Sequence, residues 1–261
     1  MLGKAMSLEN KPHATSIERA FSILEMLDGT RRGWNISEIS RKQKIPKSSA
    51  HVIVQALERL GYLKRENGTR RYKLGLKICS LGRGLINDLV VPEIALPHMR
   101  WLVEQIRLTS HLGVLEKGHV VFIQKTDGPG MIKFATYVGK RADLHCTGLG
   151  KVLLAFSNEQ VVRECLSVES FVKYTDSTIT SPAAFRKELS RVKQKGYSID
   201  DEEEELGVRC LAVPVFNPLG EVTTALSVTG TTAQIPADSF DKLAEKVREA
   251  SARISKALKL L

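Results

Sequence analysis

Apolar residues in the first third of the chain come in short bursts of helical spacing, separated by polar turns. Thr15 and Glu18 stand at capping-box spacing, and Ile17, Ala20, Phe21, Leu24 and Leu27 follow on one face of a helix that Asp28-Gly29 ends. Ile36-Ser37-Glu38-Ile39-Ser40 predicts a second, short helix. Pro46 opens a third, in which Ala50, Ile53, Val54, Leu57 and Leu60 form a buried stripe while Ser48, His51, Val52, Gln55 and Arg59 face outward. The basic ribbon Lys64 to Lys73 reads as a hairpin, with Asn67-Gly68 as a strong turn signal flanked by Arg65, Arg70, Arg71 and Lys73. From Leu74 to Leu89 the pattern is helical but weakened by three glycines, and it stops before Pro92.

Beyond residue 92 helical and alternating patterns intermix. Glu93 to Arg107 reads as helix, His111 to Leu115 and His119 to Lys125 as strands around Glu116-Lys117-Gly118, and Lys133 to Val138 as a further strand. Leu144 to Phe156 reads as a glycine-containing turn feeding a helix, whose free backbone N–H groups suit a carboxylate or phosphate; it lacks the residue order of a nucleotide-binding P-loop. After the acidic run Asp200 to Glu205, strands Val208 to Phe216 and Glu221 to Thr229 flank a turn at Asn217-Pro218-Leu219-Gly220. Placing Phe216 opposite Glu221 sets Cys210 against Ser227 and Ala212 against Ala225. Cys210, Ala212, Pro214, Thr223, Ala225, Ser227 and Thr229 then share one face, with room for a ligand, and the larger Leu211, Val213, Val215, Val222, Leu226 and Val228 share the other. Strand hydroxyls satisfied by backbone and an inert buried thiol are the plainer account of Ser227, Thr229 and Cys210. A solvated loop accounts for Glu202 to Glu205, while Asp200, at the strand end, is placed to accept from a ligand hydroxyl.

Charge divides the chain. Residues 1–80 hold 16 Lys and Arg against 7 Asp and Glu, a net of +9, whereas residues 81–261 hold 23 against 22, a net of +1. A basic module joined to a neutral one implies different partners, with nucleic acid facing the first alone. Helix, turn, helix and basic hairpin in this order match the winged helix-turn-helix, whose second helix enters the DNA major groove. Lys47, Ser48, Ser49, His51 and Gln55 are then the candidates for base and phosphate contact, and Arg65, Arg70 and Arg71 (with Lys73) for a phosphate-binding wing. A solvated helix face competes with the first set, and the adjacent basic hairpin tips the balance toward DNA. At 261 residues two domains are expected. No apolar run has membrane-spanning length and no secretory signal is legible, so a cytoplasmic location without a membrane partner is expected. The four cysteines, Cys79, Cys146, Cys165 and Cys210, have no metal-ligand spacing, so reduced thiols and no cofactor are expected.

From about Thr15 to its last helix the chain resembles the IclR family of bacterial transcriptional regulators. The likeness is carried by the helix-turn-helix and wing, by Tyr72-Lys73-Leu74-Gly75-Leu76-Lys77 with Leu81-Gly82, by Thr147-Gly148-Leu149-Gly150-Lys151-Val152-Leu153-Leu154-Ala155, and by Lys195-Gly196-Tyr197 through Phe216. The resemblance implies an α+β chain: a flexible arm (1–14), a winged helix-turn-helix DNA-binding domain (15–75), a linker helix (76–91) and a GAF-like α/β effector-binding domain (92–261). It implies a regulator, in the first instance a repressor, acting as a homodimer or dimer of dimers on a pseudo-palindromic operator in double-stranded DNA and controlled by a small organic acid. Matched by motif, the family's effector contacts fall on Gly148, Leu149, Asp200, Cys210, Ser227 and Thr229. Two positions depart from the pattern: Val52 stands where an arginine usually follows the aromatic or His position, and Thr229 where some members have serine. Losing an arginine there removes a strong phosphate or guanine contact. The linker's apolar residues serve either to pair with a second copy or only to pack.

Two other classes compete. An enzyme would use Cys146 or Cys210 as nucleophile with His145 or His119 as base, but a cysteine needs a base within hydrogen-bond reach, and His145 and Cys146, adjacent in an extended segment, point apart. A nucleic-acid-binding protein without ligand control or sequence preference is the other.

Overall fold

The computed structural model describes residues 15–28, 30, 32–88 and 90–260, so the expected arm at 1–14 lies outside the described residues. The chain divides into two compact units between residues 89 and 90. In the first, the capping box forms as expected: Glu18 N–H donates to Thr15 Oγ1 at 3.2 Å and Thr15 N–H to Glu18 Oε2 at 2.7 Å, starting α1 (Ser16–Leu27). Its inward face is Ile23 and Leu27, flanked by half-buried Ala20 and Leu24, whereas Ile17 and Phe21 are exposed, contrary to the sequence pattern. A short helix resting on two others by one stripe cannot cover both flanks of that stripe.

A second capping box, between Asn35 and Glu38, opens α2 (Ile36–Gln43), and Lys44 ends it in the left-handed conformation that turns the chain into α3 (Lys47–Arg59). Ala50, Val54 and Leu57 of α3 are buried against Ile39 and Ile45, but Leu60, expected in that stripe, is 57% exposed. Helical geometry stops at Leu60, where Gly61 at φ +83° turns the chain toward β2 (Leu63–Arg65). β3 (Arg71–Leu74) returns antiparallel to β2, with Gly68 at φ +73° in the turn, and β1 (Trp34–Asn35) adds a third strand that the sequence pattern did not show. α4 (Lys77–Asp88) follows.

The second unit opens with α5 (Val90–Ile106), which starts ahead of the expected Glu93 and takes Pro92 into its first turn, where a missing N–H costs no hydrogen bond. Six strands, β4 (Thr109–Glu116), β5 (His119–Thr126), β6 (Arg141–Ala142), β7 (Ser198–Asp201), β8 (Val208–Phe216) and β9 (Val222–Thr231), form one antiparallel sheet in the order β6-β5-β4-β9-β8-β7. α6 (Gly148–Ala155) lies on the face of small residues, where Gly148 approaches the Ala212 side chain and Gly113 the Leu149 side chain. α7 (Glu159–Val168) and α8 (Pro182–Lys195) extend that layer, and α5 and α9 (Phe240–Leu258) pack on the sheet's other side.

Three expectations for this unit change. Lys133 to Val138 is not a strand: Lys125 Nζ donates to the carbonyls of Phe134 and Thr136, both at 2.9 Å, and β6 takes the ladder position instead. The β8–β9 pairing is displaced by two residues, with Cys210 opposite Thr229, Ala212 opposite Ser227 and Pro214 opposite Ala225. The turn takes in Glu221, so that Phe216 pairs with Val222, and a bulge between Val215 and Phe216 adds the second residue; because side chains alternate with period two, the face assignments from Ala225 to Thr229 survive the slip. The small-residue face is not vacant along its length: Ala212 and Ala225 are fully buried in the core that α6 joins, which leaves only the end near Cys210 and Thr229 for a ligand.

Candidate nucleic-acid interface and ligand site

α3 presents its start to the outside. Pro46 supplies no side-chain cap, so the first-turn N–H groups are met by no side chain, as suits a helix end that meets phosphate. Lys47, Ser48, His51 and Gln55 are exposed, as is Val52, and Ser49 is half-buried. The wing divides its cations. Arg65 and Arg70 are exposed, but Arg71 pairs with Glu38 at 2.9 Å and donates to the Gly33 carbonyl at 3.1 Å. Lys73 pairs with Glu66 at 2.6 Å. Arg71 and Lys73, expected at phosphate, are thus engaged by carboxylates of their own unit and brace the hairpin, while Arg65 and Arg70 are exposed. Glu38 is the hub of this arrangement, held below the usual carboxylate range first by the Asn35 N–H and then by Arg71 and Arg32.

In the second unit, strand register collects the predicted ligand residues into rows. Asp200, Cys210, Thr229 and Thr109 lie side by side across β7, β8, β9 and β4, and Ser198, Ala212, Ser227 and His111 form the next row. Cys210 Sγ is 3.2 Å from Thr229 Oγ1, which is 3.4 Å from His111 Nδ1. His111 Nε2 is 2.8 Å from Thr136 Oγ1, on the loop that Lys125 holds. The start of α6 closes one side: Ser198 Oγ donates to the Gly148 carbonyl at 2.7 Å, and Thr147 Oγ1 caps Gly150 N–H at 3.2 Å. Glycine suits the close approach at 148, since a Cβ there would lie 3.3 Å from Ala212 Cβ, tighter than ordinary contact. Leu149 turns its side chain into the core, so its backbone alone is available to a ligand.

Burial sets the electrostatics. The Asp200 carboxyl is pushed up to about 7 by burial, against the pull of the Glu203 N–H that bonds it at 2.9 Å. Burial also drives the Cys210 thiol well up and, with Lys125 nearby, drives His111 down to about 3. At neutral pH the site thus offers a neutral imidazole, a thiol, hydroxyls and a carboxyl near its midpoint. Sequence reasoning missed His111 and Thr136. His111 lay within an expected strand, but only the position of β4 beside β9 brings it to the row, and Thr136 sat in a segment misread as strand.

Glu203 departs from expectation, and His145 is accounted for without a catalytic role. Glu203, expected in a solvated loop, is 8% exposed and paired with Lys151, itself 1% exposed and donating to the Ile199 carbonyl at 2.7 Å. His145 is fully buried, with Nδ1 2.6 Å from Glu169 Oε1 and Nε2 3.0 Å from the Val172 carbonyl. Burial opposes charge on that ring, but these two acceptors outweigh it and raise its pKa, and with both nitrogens engaged His145 clamps Glu169 and Val172 and is not free to act as a base. Cys146 is likewise sealed, its thiol pushed far up by burial. Among the described residues Asp143, His145 and Cys146 form the one cluster of ligand-type atoms close enough for a metal, and with both ring nitrogens engaged it is poorly suited to one.

Two family models match. The IclR helix-turn-helix domain covers residues 16–67, and the bacterial transcriptional regulator IclR C-terminal domain covers residues 84–256. The chain belongs to the IclR family of bacterial transcriptional regulators. It is 34% identical to the HTH-type transcriptional regulator KdgR of Dickeya chrysanthemi over 95% of this chain and 81% of that one. With KdgR of Escherichia coli it shares 32% identity over 95% of this chain and 94% of the relative. Among solved structures, an IclR homologue from Microbacterium hydrocarbonoxydans complexed with 4-hydroxybenzoate matches with TM-score 0.80 at 27% identity, covering 95% of this chain and all of that one. Thermotoga maritima IclR matches with TM-score 0.76 at 28% identity, over 95% and 100% of the two chains. Membership of the IclR family makes the chain an α+β transcriptional regulator with DNA as its partner, and not an enzyme. None of its described helices is long and apolar enough to cross a membrane.

Proposed function

We propose that this IclR-family regulator represses transcription from a pseudo-palindromic operator as a homodimer or dimer of dimers, and that a small organic acid controls it. Lys47, Ser48, Ser49, His51 and Gln55 of α3 read the major groove, and Arg65 and Arg70 hold phosphate from the wing. The acid's carboxylate rests on the N–H groups of Gly148 and Leu149, and its other polar atoms meet Asp200, Cys210, Ser227, Thr229 and His111. The observation that carries this reading is the single row from Asp200 through Cys210 to Thr229, next to the row in which Ser198 and Ala212 meet the start of α6. The homologue complexed with 4-hydroxybenzoate supports an acid as the ligand. Two recognition helices must match half-sites one helical turn apart, so a ligand that alters their spacing changes affinity steeply.

The test is footprinting of the purified protein on its own and neighbouring promoters, with and without 4-hydroxybenzoate and a set of short aliphatic acids. Protection of a palindrome that an acid alters is the expected result. Protection without sequence preference would trace to Val52, exposed on α3 and offering an apolar side chain where base reading needs hydrogen bonds.

A further inference from the structure

β7 is an edge strand, and beyond it α8 bounds a groove of about 340 Å³. The groove is separate from the row of ligand residues, which lies on the β7 flank that meets β8. Its wall is apolar at Val192 and Ile199, while Arg191 and Lys195 of α8 stand exposed at its rim. Glu203 also lines it. One oxygen of that carboxylate takes Lys151, but Oε2 is enclosed and has no hydrogen-bond partner among the described residues. A buried carboxylate oxygen without a donor is costly, which makes this a place where a donor from outside is favoured. Lys195 has the complementary need: its ammonium lies 5.5 Å from the Tyr197 ring and has no carboxylate partner among the described residues.

A metal ion does not answer this arrangement. The groove's carboxylates, Glu188 among them, do not converge to ion-binding distance, and Glu188 is engaged by Arg191 at 3.0 Å. What fits is a molecule that carries both charges together with a short hydrocarbon body.

The geometry points to a second small-molecule site in this groove, built for a short aliphatic zwitterion, a free amino acid, with its ammonium on Glu203, its carboxylate on Lys195 and Arg191, and its side chain over Val192 and Ile199. The site is one hydrogen bond from the first: the Glu203 N–H donates to Asp200, and Lys151, which holds Glu203, rides on α6. Occupancy of the groove is thereby felt at the carboxyl that faces the other ligand.

The test is calorimetric titration of the full chain with L-leucine, beside 4-methylpentanoate, which lacks the ammonium, and 3-methylbutan-1-amine, which lacks the carboxylate. Leucine is expected to bind, and each half-ligand to bind at least about tenfold more weakly, since each forfeits one charge-assisted contact. Arg191→Ala with Lys195→Ala, both exposed and so harmless to the fold, is expected to reduce leucine to the affinity of the amine. Glu203→Gln is expected to abolish the preference for leucine over 4-methylpentanoate, provided circular dichroism shows the chain folded. The proposal is overturned if leucine gives no binding up to its solubility limit, if 4-methylpentanoate binds as well as leucine, or if the double alanine variant binds leucine like the parent.

Discussion

Acidification tests the electrostatics of the ligand site through His111. The ring is 1% exposed, and its surroundings supply Lys125 and Lys140 against one carboxylate, Asp127, so the folded protein keeps it neutral down to about pH 3. In the unfolded chain the same ring takes a proton near its ordinary 6.5. The folded state therefore binds fewer protons, and stability falls as pH drops below 6.5, by up to about 1.4 kcal/mol per unit, until the folded pKa is reached. Between pH 7 and pH 5 this one side chain costs about 2 kcal/mol. His111→Gln keeps a group able to bond the Thr136 hydroxyl but removes the titration. Asp200, Glu203 and His145 titrate in both proteins and cancel in the difference. Urea unfolding followed by Trp101 fluorescence in a Trp34→Phe background, at pH 7, 6 and 5, reports the second unit alone. The parent is expected to lose about 2 kcal/mol more than His111→Gln over that range. Parallel pH curves for the two proteins would refute the argument, because they would mean that the folded site accepts the imidazolium.

Other perturbations follow the same reasoning. In Gly150→Ala the new Cβ would sit 2.5 Å from the Leu144 carbonyl oxygen and 2.6 Å from Leu144 Cα, both backbone, so a loss of about 1–3 kcal/mol is expected in urea denaturation. An unchanged midpoint would show that the α6 entry is pliable. Arg65→Ala and Arg70→Ala are each expected to reduce the salt dependence of operator binding by about one phosphate's worth with stability unchanged, whereas Arg71→Ala, which frees Glu38, should chiefly lower the melting temperature. Lys151→Met strands the buried Glu203 and is expected to cost about 3–5 kcal/mol, most of it recovered in a Lys151→Met, Glu203→Leu double variant. Thr229→Val removes the hydroxyl between Cys210 and His111, and should abolish the response of operator binding to an acid while leaving binding in its absence intact, as read by anisotropy titration.

Local chemistry was legible in the sequence because it depends on neighbours along the chain. The Thr15/Glu18 box, the Pro46 start of α3, the Asn67-Gly68 turn and the alternation of β8 and β9 each follow from spacing that short-range sterics and hydrogen bonding enforce, and their order was enough to suggest the helix-turn-helix. The face shared by Cys210, Ser227 and Thr229 was also readable, since a two-residue slip in register leaves side-chain parity unchanged. Contacts between distant segments were not. Nothing in the spacing of Arg71 and Glu38 marks them as partners, so the brace that Arg71 gives the hairpin was not readable. The placement of β4 beside β9, which brings His111 to Thr229, and the burial of Lys151 with Glu203, in a run that reads as solvated, depend on how helices and strands stack. A charged side chain reads as surface until packing encloses it, and only the tertiary structure decides which charges are given a partner inside.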